Sequence, residues 1–290
     1  MDSLKNLDAT SLFQAWLDAG RVDHDPVKQQ ATGNYLWAAL RSQSTDPVVY
    51  DQMRSFIGDA GNPSIDRGHL LNVLGEAATR EALDILIQTA TTSPDPVCRG
   101  TATNGIKSAG ALWGDGTFHE ELAPALDRVW SATQDRLLLM STAVAMAKVG
   151  APSSIKLLVS SALPGEYQGG IRQRAAQEAL HDVLNPHAVP VLAALLVDQP
   201  PTSATAWLAS GTLAAMASKS AAKPLLQWLE GADATAAQLA RTYVVQARNP
   251  ASIKAFWAAL DPSVPFRSEE NREAIRSGLA QYDANRRFGP

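Results

Sequence analysis

Seven segments of this 290-residue chain repeat one apolar template at nearly constant spacing, and that recurrence limits the fold more than any single residue does. With anchors at Val49, Leu83, Leu122, Ile155, Val189, Ala222 and Ile253, the intervals are 34, 39, 33, 34, 33 and 31 residues. Fixed periods in this range mark stacks of helix pairs. Reading anchor, +3, +4 and +7 gives Leu83, Leu86, Ile87, Ala90, then Ile155, Leu158, Val159, Ala162, then Val189, Leu192, Ala193, Leu196. Across all seven sets only Gln52 is polar, whereas in a chain that is 46% apolar about half of such positions would be apolar by chance. A stripe at this spacing lies on one face of a helix and is buried against its neighbours.

Between the stripes runs a second helical segment, predicted at 26–42, 67–74, 95–109, 135–149, 171–184, 202–217 and 234–247. Breakers separate the two members of a pair: Gly75, the Gly114-Asp115-Gly116 run, Gly150 with Pro152, Asn185-Pro186 and Asn249-Pro250. Gly and Asn tolerate the left-handed conformation that closes a helix, and Pro suits the first turn of the next. No run of strand period has convincing length. The prediction is an all-α chain.

Specific residues bring this pattern close to a known family. Asp95-Pro96-Val97-Cys98-Arg99 resembles the opening of a HEAT first helix, and the run from Ile171 to Leu180 resembles its continuation, with Arg172 and the Ala175-Ala176 pair in place. Ala188-Val189-Pro190-Val191-Leu192 and Ala222-Lys223-Pro224-Leu225-Leu226 resemble the start of the family's second helices. The resemblance covers most of 46–283. It departs at 135–149, which has Arg136 but no Ala-Ala pair, and at the stretched repeat around Leu122. It implies a right-handed α-solenoid of about seven antiparallel helix pairs, with 1–45 as a helical cap and first helix, 46–262 as the HEAT-like array and 263–290 as a capping helix and tail. Seven stacked pairs would form a rod or arc roughly 60 Å long, from ~8 to 10 Å between packed helices.

Composition bounds the partners. A net charge of −4 offers no broad attraction to nucleic acid or to acidic membranes. No apolar run approaches the length of a membrane span. Met1-Asp2-Ser3-Leu4-Lys5 leads into no signal-peptide core, which predicts a cytoplasmic protein, or a periplasmic or secreted one that begins after a removed signal. Charged residues at 19%, below the usual quarter, lean towards the second.

Chemistry is sparse. His24, His69, His119, His181 and His187 never stand four apart on a helix, and none joins a Cys cluster, so no metal or other cofactor is expected. Asp115, Thr117, His119 and Glu121 alternate without the Gly and Asp/Asn series of a calcium loop. Cys98 reads as a buried structural thiol. Gly165, Gly169 and Gly170 around Tyr167 read as a link between repeats. Trp16, Trp37 and Trp257 belong to the core, while Trp130 and Trp228 flank their stripes and are candidates for contact.

The stripe helices are apolar on their other face too, at anchor +2, +5 and +6: Ile85, Leu157, Val191, Leu195 and Trp228 stand where charge is expected. Three readings compete: a curved stack that covers its own inner face, a groove that receives an apolar or extended segment of another protein, and a homodimer contact. The functional expectation is a non-catalytic protein-binding scaffold. Its contacts would be Ile85, Leu157, Val191, Leu195 and Trp228, with Arg54 and Arg128 steering the partner. No nucleic-acid partner is expected. The alternative that the resemblance implies is an enzyme on HEAT-like repeats, such as an alkylpurine DNA glycosylase with its basic concave cleft, or a chaperone or lyase-like HEAT protein.

Overall fold

The computed structural model describes residues 4–42, 47–113, 119–163, 170–197 and 203–216, with single residues as far as Ala280. Among them are twelve α-helices and no strand. In order these are α1 (Ala9–Arg21), α2 (Pro26–Ser42), α3 (Pro47–Gly58), α4 (Ser64–Ala77), α5 (Arg80–Thr92), α6 (Pro96–Leu112), α7 (His119–Ala132), α8 (Arg136–Val149), α9 (Pro152–Ala162), α10 (Ile171–Leu180), α11 (Val189–Val197) and α12 (Ala204–Ala215). The stripes anchored at Ala222 and Ile253, the segment 234–247 and the tail 263–290 lie outside the described residues, single positions apart. So do the Gly114-Asp115-Gly116 run, most of the loop around it, and Tyr167 with its glycines Gly165 and Gly169.

The chain forms two compact units, one of Met1–Trp113 with Glu120–Ala145 and one of 114–119 with Met146–Pro290. In the first, α2, α4 and α6 lie side by side in one layer, and α1, α3 and α5 in another. This two-layer order is that of a helix-pair repeat. The stripes face the seam between layers: Val49, Met53 and Phe56 on α3, Leu83, Leu86 and Ala90 on α5, and Leu122, Leu126 and Val129 on α7 are buried. In the second unit α9 packs on α10, α11 and α12, burying Ile155, Leu158 and Val159 against a layer that includes Val189, Leu192 and Leu196.

Local sequence sets the helix boundaries. Asp8, Thr79, Asp95 and Ser203 each turn a side-chain oxygen onto a first-turn backbone N–H, which satisfies donors that the helix itself leaves free. Two further aspartates do the same, Asp25 for Val27 and Lys28 and Asp135 for Leu138. At the other end, α4 closes on Ala78 at φ 51° and α8 on Gly150 at φ 69°. Only two residues then separate α4 from α5, and α8 from α9. Each reversal is tied to the following repeat. Trp113 Nε1 donates to the Ala78 carbonyl at 2.6 Å, and Asn185 Nδ2 donates to the Val149 carbonyl at 2.7 Å, at separations of 35 and 36 residues.

Gly75 is not the break that the sequence suggests. It lies inside α4, where an added Cβ would fall 2.9 Å from the Gly105 Cα of α6. Its role is to let two backbones approach. The segment predicted at 171–184 also ends early: α10 stops at Leu180 with His181 as its cap, and Asn185 then caps a short 3-10 turn, Pro186–Ala188, ahead of α11.

Candidate functional site

The C-terminal halves of α5 and α7 and the N-terminal halves of α6 and α8 enclose a groove of about 770 Å³. That volume falls in the range of ordinary binding clefts, ~300 to 1,000 Å³. Ile87, Ala90, Val129 and Leu138 give it an apolar lining, and Leu137 stands at its edge 62% exposed. Four charged residues join them: Asp84, Arg99, Arg128 and Asp135. Arg99 is held in place, since its Nη1 donates to the Ser93 and Pro94 carbonyls at 2.9 and 3.1 Å. Asp135 accepts from the Leu138 backbone N–H at 2.9 Å as the cap of α8. Arg128 and Asp84 bond to no other described residue. Gly100 leaves the groove-facing backbone of α6 bare, and a Cβ there would meet nothing within 4 Å.

A smaller hollow of about 470 Å³ lies between α1 and α3, lined by Phe13, Leu17, Val48 and Phe56 with Gln14, Asp51 and Gln52. Gln52, the single break in the apolar template, faces this hollow. Arg54 lies beside it, and its Nη1 meets Asp51 Oδ1 at 2.9 Å. An exposed pair of this kind contributes little to stability.

Next to the groove a polar cluster joins α4 to the cap of α6. Arg67 Nη2 and Ser64 Oγ each approach Asp95 Oδ2 to 2.6 Å, and Arg67 Nε donates to the Asn62 carbonyl at 3.1 Å. The Ser64 hydroxyl, with the Val97 and Cys98 N–H groups, holds the Asp95 carboxyl down at about 2. Burial raises the Cys98 thiol, which is fully buried. The cluster fixes one repeat to the next.

The residues singled out from the sequence fall into three groups. Arg128 lines the large groove, and Arg54 is exposed beside the small one. Leu157 on α9, Leu195 on α11 and Trp228 are half-buried. Ile85 and Val191, read as surface contacts, are 1% and 6% exposed, and Trp130 is likewise in the core at 1%. For Ile85 and Val191 the reason is that their stripe helices also pack against the stripe helix of a neighbouring repeat, α5 on α3 and α11 on α9. These two positions beside the stripe are therefore covered by the protein itself.

Sequence reasoning missed Arg99, Leu137 and Trp207, which is half exposed on α12. Leu137 had a signal: in the run Arg136-Leu137-Leu138-Leu139-Met140 four consecutive apolar residues cannot all face one side of a helix. Among the described residues no helix is long and apolar enough to cross a membrane.

No family model and no curated protein matches the chain. Among solved structures it is similar to human deoxyhypusine hydroxylase in complex with glycerol, at 15% identity over 95% of this chain and 96% of that one, with a TM-score of 0.34. It is also similar to YibA of Escherichia coli, at 17% identity over 97% and 94% with a TM-score of 0.38. The complex of CpcE and CpcF of phycocyanin lyase from Nostoc gives 15% identity over 92% and 94% with a TM-score of 0.35. Two of these proteins are named as enzymes, a hydroxylase and a lyase. Likeness this distant assigns no activity to the present chain.

Proposed function

We propose that this chain is a HEAT-like repeat scaffold without catalytic activity, and that it docks an extended segment of another protein in the groove formed by α5, α6, α7 and α8. The observation that carries the reading is the lining of that groove: an apolar surface deep enough to take side chains, with charged groups placed to set register. The half-buried Leu157, Leu195 and Trp228 give the second unit apolar contact surface of its own.

Gly100 provides the test. Gly100→Trp places a large side chain in the groove from a position where a Cβ meets no neighbour, and replacing a mid-helix glycine does not weaken α6. A library of random displayed peptides selected on the wild-type chain should yield a recurring sequence pattern. The same selection on Gly100→Trp should yield none, at undiminished helicity and melting temperature. Equal enrichment on both proteins would remove the groove from the function.

A further inference from the structure

We infer that the segment taken by this groove carries an acidic side chain between apolar ones, and that Arg128 receives its carboxylate. This rests on the docking reading above and adds to it the chemistry of the partner.

The charges of the groove are not equivalent. Asp135 accepts from the Leu138 N–H and sits at the positive end of α8, so that helix terminus compensates its charge. The Arg99 guanidinium is fixed by two carbonyls, which orient it without neutralising it. Arg128, on the exposed side of α7, bonds to no described residue. Asp84 is the one acid lining the groove that is neither capping a helix nor paired, and it stands seven residues before Thr91 on α5. At 1.5 Å per residue this is ~10 Å along the helix from the end where Arg99 enters. Arg128 stands four residues before the end of α7, ~6 Å from it, so both arginines lie nearer that end than Asp84 does. Its two arginines face a partner with a single compensated acid beside them, and Asp84 lies apart.

A guanidinium presents its donors in a planar fork that matches a carboxylate. A partner arginine or lysine at the same place would meet like charge. Apolar side chains on either side of the acidic one would cover Ile87, which is half-buried, and Leu137, which is 62% exposed.

The experiment uses the full-length chain and displayed random peptides. Wild-type selection should enrich peptides with Asp or Glu flanked by apolar residues, and a synthetic peptide of that pattern should bind roughly tenfold more weakly to Arg128→Gln, the loss of about one hydrogen bond to a charged group. Arg128→Glu should shift the selected residue from acidic to basic. Arg54→Glu, the same charge change outside the groove, should leave the pattern as it was. Peptides lost on Gly100→Trp but lacking an acidic residue would overturn this inference and leave the docking reading standing. No groove-dependent peptide at all would overturn both. Concentration-dependent self-association abolished by Gly100→Trp, without peptide competition, would assign the groove to a second copy of the chain and likewise overturn it.

Discussion

One substitution made twice in the same helix tests the packing on which the fold depends. At Gly100 an added Cβ meets nothing within 4 Å, whereas at Gly110 it would lie 2.5 Å from the Cα and 2.8 Å from the Cβ of Ala145 on α8. Both glycines are inside α6, so both Ala substitutions gain helix propensity, ~1 kcal/mol each. Gly100→Ala should keep that gain. Gly110→Ala should lose it and more, because the nearest obstructing atom is backbone and the next a Cβ fixed to it, and overpacking of this kind costs ~1 to 3 kcal/mol. The difference between the variants is then the overpacking cost itself, free of the propensity term that they share. Urea denaturation of each variant beside the wild type measures it, with equal m-values required so that the midpoints are comparable. Two variants of equal stability would mean that α6 and α8 do not approach along their backbones at Gly110 and Ala145.

Other consequences are simpler to read. Leu158→Ala and Leu192→Ala remove fully buried side chains from the second unit and should each cost ~2 to 5 kcal/mol; an unchanged denaturation midpoint for both would place the stripe on the wrong face. Asp95 titrates at about 2 in the folded protein against 3.8 for the free group, so the stability it contributes is present above pH ~4 and is lost as pH falls towards 2. Asp95→Asn should flatten the stability profile across that window, and an acid transition identical to that of the wild type would show that the carboxylate is not held as described. Leu195→Gln combined with Trp228→Gln should weaken capture of an identified partner by ~2 kcal/mol per anchor, at unchanged circular dichroism; normal binding would exclude these two residues from the contact.

Helices were legible in the sequence because their signals are local. The apolar period, the Asp-Pro starts and the Gly and Asn ends each act within a few residues, and the predicted 26–42 coincides with α2. What surrounds a helix was less legible. Ile85 and Leu157 occupy the same place in the template, at anchor +2, yet Ile85 is buried and Leu157 only half so. Their exposure is set by neighbouring repeats, tens of residues away. Gly75 shows the same limit: a glycine near the end of a stripe looks like a terminator, and only the nearness of Gly105 reveals it as a contact. Arg128 could be placed in the groove from its position in the template, whereas Arg99 could not, since it comes from the first-helix layer and reaches the groove at the helix start.

The spacing of the repeats carries one further cue. The interval from Leu83 to Leu122 is 39 residues, against 34 before it and 33 after it, and α5 and α7, the helices that bear these two anchors, are the ones that flank the large groove. Extra residues cannot enter either stripe without turning apolar side chains off the core face, so they must be accommodated outside the stripes. A repeat lengthened in this way is free to set its second helix further from the preceding one. The other intervals are 31 to 34 residues; beside the described stripes of those repeats Val191 is buried while Leu157 and Leu195 are half-buried. The lengthened interval thus coincides with the described cleft that Arg99 and Arg128 line.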